Sequence, residues 1–513
     1  MRKCPGVITG TLLLLPASIA CCSLLLTFAI VMQNEKYQVV IGLEVHTQLL
    51  TKSKLFCGDS AAFSTEPNTH ISPITLAHPG TLPKMNAKAI EYAVKLGLAL
   101  NCEIVQHNYF ARKNYFYPDL PKGYQVSQHT TPICRNGSVT IKTNGAERDI
   151  RLNRIHIEED AGKSLHDIDE DYTSIDLNRA GVPLLEIVSE PDMHSSDEAF
   201  AYISELRKLV TWLGICDGNM EEGSMRCDAN ISIRLQGETK LGTRVEVKNL
   251  NSIRNVKRAI DVEVQRLVEI SERGEKIIQE TRSYDADNNT TFSLRTKEDA
   301  DDYRYFPEPD LPPFHITNEY LQEVRSGLPA LPGVLKKRLV TEFELSDYDA
   351  AVLCDDKDQS DYFEEVIKYT HNYKAVANWL LGPVKGHLND SSITYKDFIL
   401  PPDKLASLIG LVEEGKLNFG IASSRVFTAL LKQPEKEPLE IAAALNVIQE
   451  SNSNSIELWV DEVIANMPDK VTQYKSGKKG LLGLFAGEVK KLSKGKADMQ
   501  IVNTLLDKKL NTK

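Results

Sequence analysis

Met225-Arg-Cys-Asp-Ala-Asn-Ile-Ser-Ile-Arg234 alternates apolar and polar side chains without a break. Residues two apart on a strand share a face, so Cys227, Ala229, Ile231 and Ile233 point inward while Arg226, Asp228, Asn230, Ser232 and Arg234 point the other way. The same alternation sets Val39, Ile41, Leu43 and Val45 against Glu44 and His46, and Val245 and Val247 against Arg244, Glu246 and Lys248. The segment 151–160 ends in Glu158, Glu159 and Asp160, and Glu186 interrupts the apolar run Leu184, Leu185, Ile187 and Val188. A sheet with one apolar face and one face of acids, arginines and a histidine follows. One wetted face of an antiparallel sheet accounts for alternation alone. An acid set into an apolar run does not fit that account, because burying it without a partner is costly. Converging carboxylates are relieved by raised pKa values or by a cation. Oxygen donors with one imidazole suit magnesium bridged to nucleotide phosphates better than zinc, which implies phosphoryl transfer with arginines facing phosphate oxygens.

Around these strands the periodicity is helical. Ile90, Ala93, Val94, Gly97 and Leu98 define a helix over 86–100. Ser195 with Glu198 starts another, with Phe200, Ile203, Leu206, Val210 and Leu213 on one face and Gly214 as its stop. A third runs from Ser252 to Arg273, ahead of Gly274. Pro307, Pro309, Pro312, Pro313, Pro329 and Pro332 mark a boundary, since proline breaks helix and sheet alike. Beyond it, 362–381, 405–414, 423–431 and 439–450 carry apolar residues three or four apart, as in a helical bundle with a smaller helical tail.

Three apparent motifs fail on inspection. Gly162-Lys-Ser164 lacks the glycine that a phosphate loop needs five positions earlier, where Ile157 stands. Gly480, Gly483 and Gly487 lack the strand–turn–helix setting of a dinucleotide site. Cys227 reads as core, not as a nucleophile, and His156, between Ile155 and Ile157, reads as a structural histidine outside the site. Tyr115, Phe116 and Tyr117, after Arg112 and Lys113, could stack on a base or pack at a domain edge, with packing favoured.

The 513 residues, 42% apolar and 26% charged, describe a folded body and exclude a mostly disordered chain or a multi-span membrane protein. Nine cysteines without a C-x-x-C pair exclude a disulfide scaffold and a zinc ribbon. The net charge of -11 argues against coating nucleic acid with the whole surface. It hides a split. The stretch 471–513 holds ten lysines against Glu488, Asp498 and Asp507, a basic segment suited to phosphate backbones or to a solvated helix face. At the other end, Arg2 and Lys3 precede an uncharged, largely apolar run to Asn34, which composition alone reads as a secretory signal or membrane anchor.

Eight segments carry a resemblance: Val40-Ile-Gly-Leu-Glu-Val-His46, Arg112-Lys-Asn-Tyr-Phe-Tyr-Pro-Asp119, His156-Ile-Glu-Glu-Asp-Ala-Gly-Lys-Ser164, Asp176-Leu-Asn-Arg179, Glu186-Ile-Val-Ser-Glu-Pro-Asp192, Met220-Glu-Glu-Gly-Ser-Met-Arg-Cys-Asp-Ala-Asn-Ile-Ser232, Glu246-Val-Lys-Asn-Leu-Asn251 and Asp302-Tyr-Arg-Tyr-Phe-Pro-Glu-Pro309. In that order, the chain from Tyr37 onward resembles the B subunits of the glutamyl-tRNA(Gln)/aspartyl-tRNA(Asn) amidotransferases.

The resemblance implies an α+β fold, with a glutamine synthetase-like cradle over 35–327 after a leader of 1–34. A helical domain over 328–435 and a tRNA-contacting tail over 436–513 follow. It implies ATP-dependent phosphorylation of the glutamate side chain on misacylated tRNA(Gln), then amidation by ammonia from the glutaminase (the A subunit of these enzymes), with a small C subunit in the complex. Magnesium would be held by Glu44, His46, Glu159 and Glu246, with Glu158 and Glu186 supporting, and Lys113 would line the ammonia route. Arg226 and Asp228 are our own candidates for holding phosphate and for supporting the ligands. No zinc is expected, because Cys57 lacks the paired cysteines that some relatives carry. An acid-free leader on this family implies the mitochondrial matrix and no stable membrane association, with a membrane-anchored or secretory chain and the bacterial cytoplasm as the alternatives. The competing functional reading is a non-catalytic module that presents tRNA.

Overall fold

The computed structural model describes residues 36–166, 168–296, 303–449, 453–493 and 496–511; the expected leader lies outside them. The chain divides into two compact units, one up to Leu331 and one from Pro332. The first is a mixed α/β body and the second is helical.

The first unit is built on a ten-stranded sheet. Its strands are β1 (Tyr37–Gln48), β2 (Glu103–Ile104), β3 (Cys134–Arg135), β4 (Ser138–Thr143), β5 (Ala146–Glu159), β6 (Pro183–Ser189), β7 (Met225–Leu235), β8 (Val245–Leu250), β9 (Glu280–Asp285) and β10 (Thr290–Thr296). They lie in the order β10-β9-β8-β7-β1-β6-β5-β3-β2, with β4 paired to β5. Every pairing is antiparallel except β8 with β9, which are parallel. That parallel step requires a crossover. The helix Ile253–Glu272 supplies it.

Alternation settles which face is buried. Ile41, Leu43, Val45, Ile155, Ile157, Leu185, Ile187, Cys227, Ala229 and Ile231 belong to one continuous core. That face is covered by helices α1 (Ala87–Ala99), α2 (Ser196–Trp212) and α3 (Ile253–Glu272). Each starts where a polar side chain caps it: Asn86 accepts from the Lys88 amide, Ser195 from Glu198 and Ser252 from Asn255. Gly214 and Gly274, at φ +64° and +70°, take the left-handed turns that end α2 and α3. On α2 the buried stripe is Ala199, Tyr202, Ile203, Leu206 and Val210, and Phe200, expected inside, is exposed. The stripe continues through Ala199, one position earlier, which keeps the three-and-four spacing.

Three of the helices expected beyond Pro332 are different in detail; the one over 439–450 is the shorter Pro438–Ala444, ending ahead of Asn446 at φ +54°. The run 362–381 is two helices, Lys357–Val366 and Tyr373–Trp379, because the Asn372 side chain accepts from the Ala375 amide and starts the second anew. Within 423–431 the chain forms a π turn, Ala422–Val426, before the α turn Phe427–Leu430. Ile456, Val460, Phe485, Val489, Val502, Leu506 and Leu510 form a core of their own near the C-terminus.

Candidate functional site

The polar face of the sheet lines a cavity of about 1310 Å³. Strand register builds its floor. His156 on β5 sits opposite Glu186 on β6, Glu186 opposite His46 on β1, and His46 opposite Arg226 on β7, one row across four strands. His46 Nε2 is 3.4 Å from Glu186 Oε2 and 3.8 Å from Glu158 Oε1. His156 Nε2 stands 3.4 Å from Glu186 Oε2 and 3.5 Å from Glu158 Oε2. Among the described residues, His46, Glu158 and Glu186 are the group whose donor atoms all lie within 4.8 Å of one another, the spacing a shared cation needs.

Electrostatics keep this cluster charged. Burial alone would raise the Glu186 carboxyl, but His156 and His46 outweigh it and hold the group well below the usual carboxylate range. Burial disfavours the charged form of His156, yet Glu186 and Glu158 raise it to about 9. His46 is raised in the same way, against its burial, chiefly by Glu186. The Nδ1 of His156 is buried, with no hydrogen-bond partner among the described residues. An imidazole left half-satisfied beside two carboxylates is a polar group held for charge, not for packing.

The other expected residues are placed differently. Glu44 and Asp228 face each other across β1 and β7 on the same polar face, and Asn230 Nδ2 donates to Glu44 Oε1 at 2.8 Å. Glu246 is buried, accepting from Thr281 Oγ1 at 2.8 Å and standing 3.2 Å from Lys248 Nζ. Lys248 Nζ is also 2.6 Å from Asp228 Oδ2. Glu159 is turned away from the cluster. It follows Glu158 directly on β5, so the alternation that brings Glu158 to His46 sends Glu159 to the opposite face. There its carboxylate accepts from the Val126 amide at 2.8 Å and pairs with Lys122, in a separate cavity of about 130 Å³. The expected quartet Glu44, His46, Glu159 and Glu246 is therefore not one cluster; His46 meets Glu158 and Glu186 instead.

Two participants escape a sequence reading. His156 reads as lying outside the site, although its position two residues before Glu158 puts both on one face. Asp160 is buried at the end of β5 and accepts from Arg226 and Gln48 at 2.7 Å each, with Arg179 Nε 3.7 Å away. Both arginines hold its carboxyl below the usual range against the effect of burial. Arg226 thereby reaches the cavity on a fixed anchor, and its buried Nε has no partner among the described residues. Lys113 lies on the short strand Ala111–Asn114 and also lines the cavity. Tyr115 lines it too, while Phe116 and Tyr117 are exposed. Cys227 is core, as its strand face requires, and the Cys57 thiol lies 3.5 Å from Thr75 Oγ1. Gly162 donates its amide to Asp119 O, and Lys163–Leu165 is one strand of a hairpin with Ser174–Asp176, so this segment is no phosphate loop.

Comparison with known proteins agrees with this layout. The GatB/GatE catalytic domain model matches residues 39–322, and a second GatB domain model matches 361–510. The B subunit of the aspartyl/glutamyl-tRNA(Asn/Gln) amidotransferase of Pelodictyon phaeoclathratiforme is 50% identical over 475 residues, covering 93% of this chain and 99% of the relative. Proteins of the same name from Syntrophotalea carbinolica and Geotalea uraniireducens are 47% and 49% identical, each across 93% of this chain and 99% and 100% of their own. With two domain models spanning both compact units and relatives matched along nearly their whole length, the chain belongs to the GatB/GatE family.

Proposed function

We propose that this chain is the B subunit of a tRNA-dependent amidotransferase, working in a complex with a glutaminase, or amidase, partner and a small third protein, the A and C subunits of such enzymes. On this reading it uses ATP to phosphorylate the side-chain carboxylate of glutamate carried by tRNA(Gln). Ammonia released from glutamine by the glutaminase then displaces phosphate to give Gln-tRNA(Gln). A carboxylate is a poor acyl donor, and phosphorylation supplies the leaving group. The relatives' shared name and the matched family models support the assignment. The observation that carries the chemistry is the cluster of half-buried His46 and Glu186 with buried Glu158 on the cavity floor.

The donor set fits an oxygen-seeking divalent ion, with His46, Glu158 and Glu186 as the residues that would hold magnesium. Bound there, magnesium supplies charge neutralisation for phosphate oxygens. The chain's own groups supply the rest. His156, against both carboxylates, fixes their orientation. Arg226, anchored by Asp160, presents a guanidinium to the same cavity. Lys113 stands on the wall, where we place the incoming ammonia; its positive charge disfavours ammonium and so selects the neutral nucleophile. The family membership is our basis for reading the first unit as a glutamine synthetase-like cradle, and the open polar face is compatible with it. In the tail, exposed Lys475, Lys478, Lys479, Lys490, Lys491 and Lys508 would meet tRNA phosphates.

No helix among the described residues is long and apolar enough to cross a membrane. We place the chain in the mitochondrial matrix on the strength of residues 1–34, with the bacterial cytoplasm as second reading; retention of the tagged native protein in the secretory pathway would refute both.

The decisive experiment supplies the purified complex with labelled Glu-tRNA(Gln), glutamine and ATP. Conversion to Gln-tRNA(Gln) with ATP consumption is expected, and none is expected from the isolated chain with glutamine. A complex that binds tRNA but converts none of it would leave the tRNA-presenting reading in its place.

A further inference from the structure

Six lysines and arginines line the large cavity; Lys52 and Lys163 are exposed to solvent, and three of the other four already have acceptors. Arg179 donates to the carbonyls of Ala161 and Gly162 at 2.9 and 2.6 Å. Arg226 is held by Asp160 at 2.7 Å, and Lys248 by Asp228 at 2.6 Å and Glu246 at 3.2 Å. Lys113 is different. Among the described residues, no acceptor lies within hydrogen-bond reach of its ammonium, and its close neighbours are aromatic faces. Nζ sits 4.5 Å from the Tyr303 ring centre and 5.8 Å from that of Tyr115. The two rings meet edge to face at 5.6 Å.

This arrangement is assembled by tertiary structure. The strand Arg304–Pro307 pairs with Ala111–Asn114 so that Tyr305 lies directly across from Lys113. Tyr303 and Tyr115, each two residues along, therefore fall on the same side as the lysine. Tyr305 is itself fixed by stacking on His129 at 4.1 Å and an 11° interplanar angle. Ring faces hold an ammonium electrostatically without using its N–H groups. Three donors remain for a ligand. Burial opposes the charge on Lys113, but Glu158 first, then Tyr305 and Tyr303, and last Glu186 outweigh it and raise the group.

We propose that Lys113 donates to a phosphate oxygen of the nucleoside triphosphate used in this reaction, and that Tyr303 and Tyr115 are the positioning residues that aim it. A triphosphate carries several negative charges and needs cations on more than one side; the acid cluster can hold one, and among the described residues Lys113 is the cation shielded from solvent in this cavity that has no acceptor of its own. A single carboxylate would need only one. The proposal rests on the amidotransferase reading above, and it adds a phosphate contact to the residue placed there beside ammonia.

The test measures binding of a non-hydrolysable ATP analogue and of adenosine, with magnesium, to the intact complex by calorimetry. A hydrogen bond to a charged group corresponds to a loss of roughly ten- to hundred-fold when removed. Lys113→Met is expected to weaken the analogue by that factor and to leave adenosine unchanged. Tyr303→Leu is expected to lose about two- to five-fold, as a partly exposed cation–π contact implies, and Tyr303→Phe to recover most of that loss. Unchanged analogue binding in Lys113→Met would overturn the proposal. So would an equal loss for adenosine, which signals a collapsed site, or a Tyr303→Phe variant as weak as Tyr303→Leu. Should Lys113→Met fail to fold, Lys113→Gln and the Tyr303 pair carry the same comparison. If the unmutated complex binds no analogue at all, the nucleotide reading of the whole cavity fails together with this one.

Discussion

Replacing Asp160 by asparagine changes one atom's chemistry at a junction where three donors meet one carboxylate. Oδ2 accepts from both Gln48 Nε2 and Arg226 at 2.7 Å, while Oδ1 accepts from the Ala161 amide at 3.0 Å. All three partners are donors, so an amide cannot satisfy them. If its oxygen keeps Gln48 and Arg226, its NH₂ faces the Ala161 amide; if it keeps Ala161, its NH₂ faces two donors. The first arrangement is cheaper and leaves one half-buried backbone N–H unpaired, at about 1–2 kcal/mol. Loss of the carboxylate's charge adds about 1–2 kcal/mol by weakening a charge-assisted bond. The Arg226 side chain is 37% exposed, so water relieves part of that second amount. About 2–3 kcal/mol is expected in total. For a unit of this size that is a fall in Tm of roughly 5 °C. Thermal and urea unfolding of Asp160→Asn against the unmutated chain checks it. A loss below about 1 kcal/mol would show that the junction relaxes freely and that Asp160 does not anchor Arg226.

Glu186→Gln should abolish Mn²⁺ binding, read by electron paramagnetic resonance, together with amidation, whereas Glu159→Gln should leave Mn²⁺ binding intact because that carboxylate faces the other cavity. Asp192, held below its usual range chiefly by Arg151, contributes stability that is present above the unfolded carboxyl pKa and lost as pH falls through the depressed folded value. Urea titrations should therefore separate Asp192→Asn from the unmutated chain by about 1 kcal/mol at neutral pH, and the gap should close in acid. In Gly97→Ala the new methyl would run into Cys134 Sγ, in the core, and stand 2.7 Å from Ile104 Cδ1, which packs against it. That overpacking should destabilise by about 1–3 kcal/mol in the same assay.

Alternation makes the polar face legible from sequence. Glu44, His46, Glu186, Arg226, Asp228, Glu246 and Lys248 all read as belonging to it, and the register lays them on one side of one sheet. What alternation leaves open is which of two consecutive acids, Glu158 or Glu159, shares the face of His46, since that depends on the phase of β5 relative to β1, two strands away through β6. His156 reads as core because its neighbours in the chain are apolar, and it is indeed buried, but among carboxylates. Contacts between distant segments leave no local signal. Asp160 meets Arg226, and Lys113 meets Tyr303, only once strands far apart in the chain have paired. The break at Asn372 is obscured by apolar spacing that happens to continue across it.

The position of β1 bears on how the protein is made. Among the described strands of the sheet it is the first to be synthesised, yet it lies in the interior, bonded on one side to residues 184–188 and on the other to 225–235. Until those later segments leave the ribosome, the alternating apolar stretch 39–45 has no native partner and presents both edges to any other strand it encounters. A chaperone holding that stretch, or slow closure around it, becomes part of the protein's biogenesis, and weakening the pairing of β6 or β7 would show first as aggregation of the nascent chain.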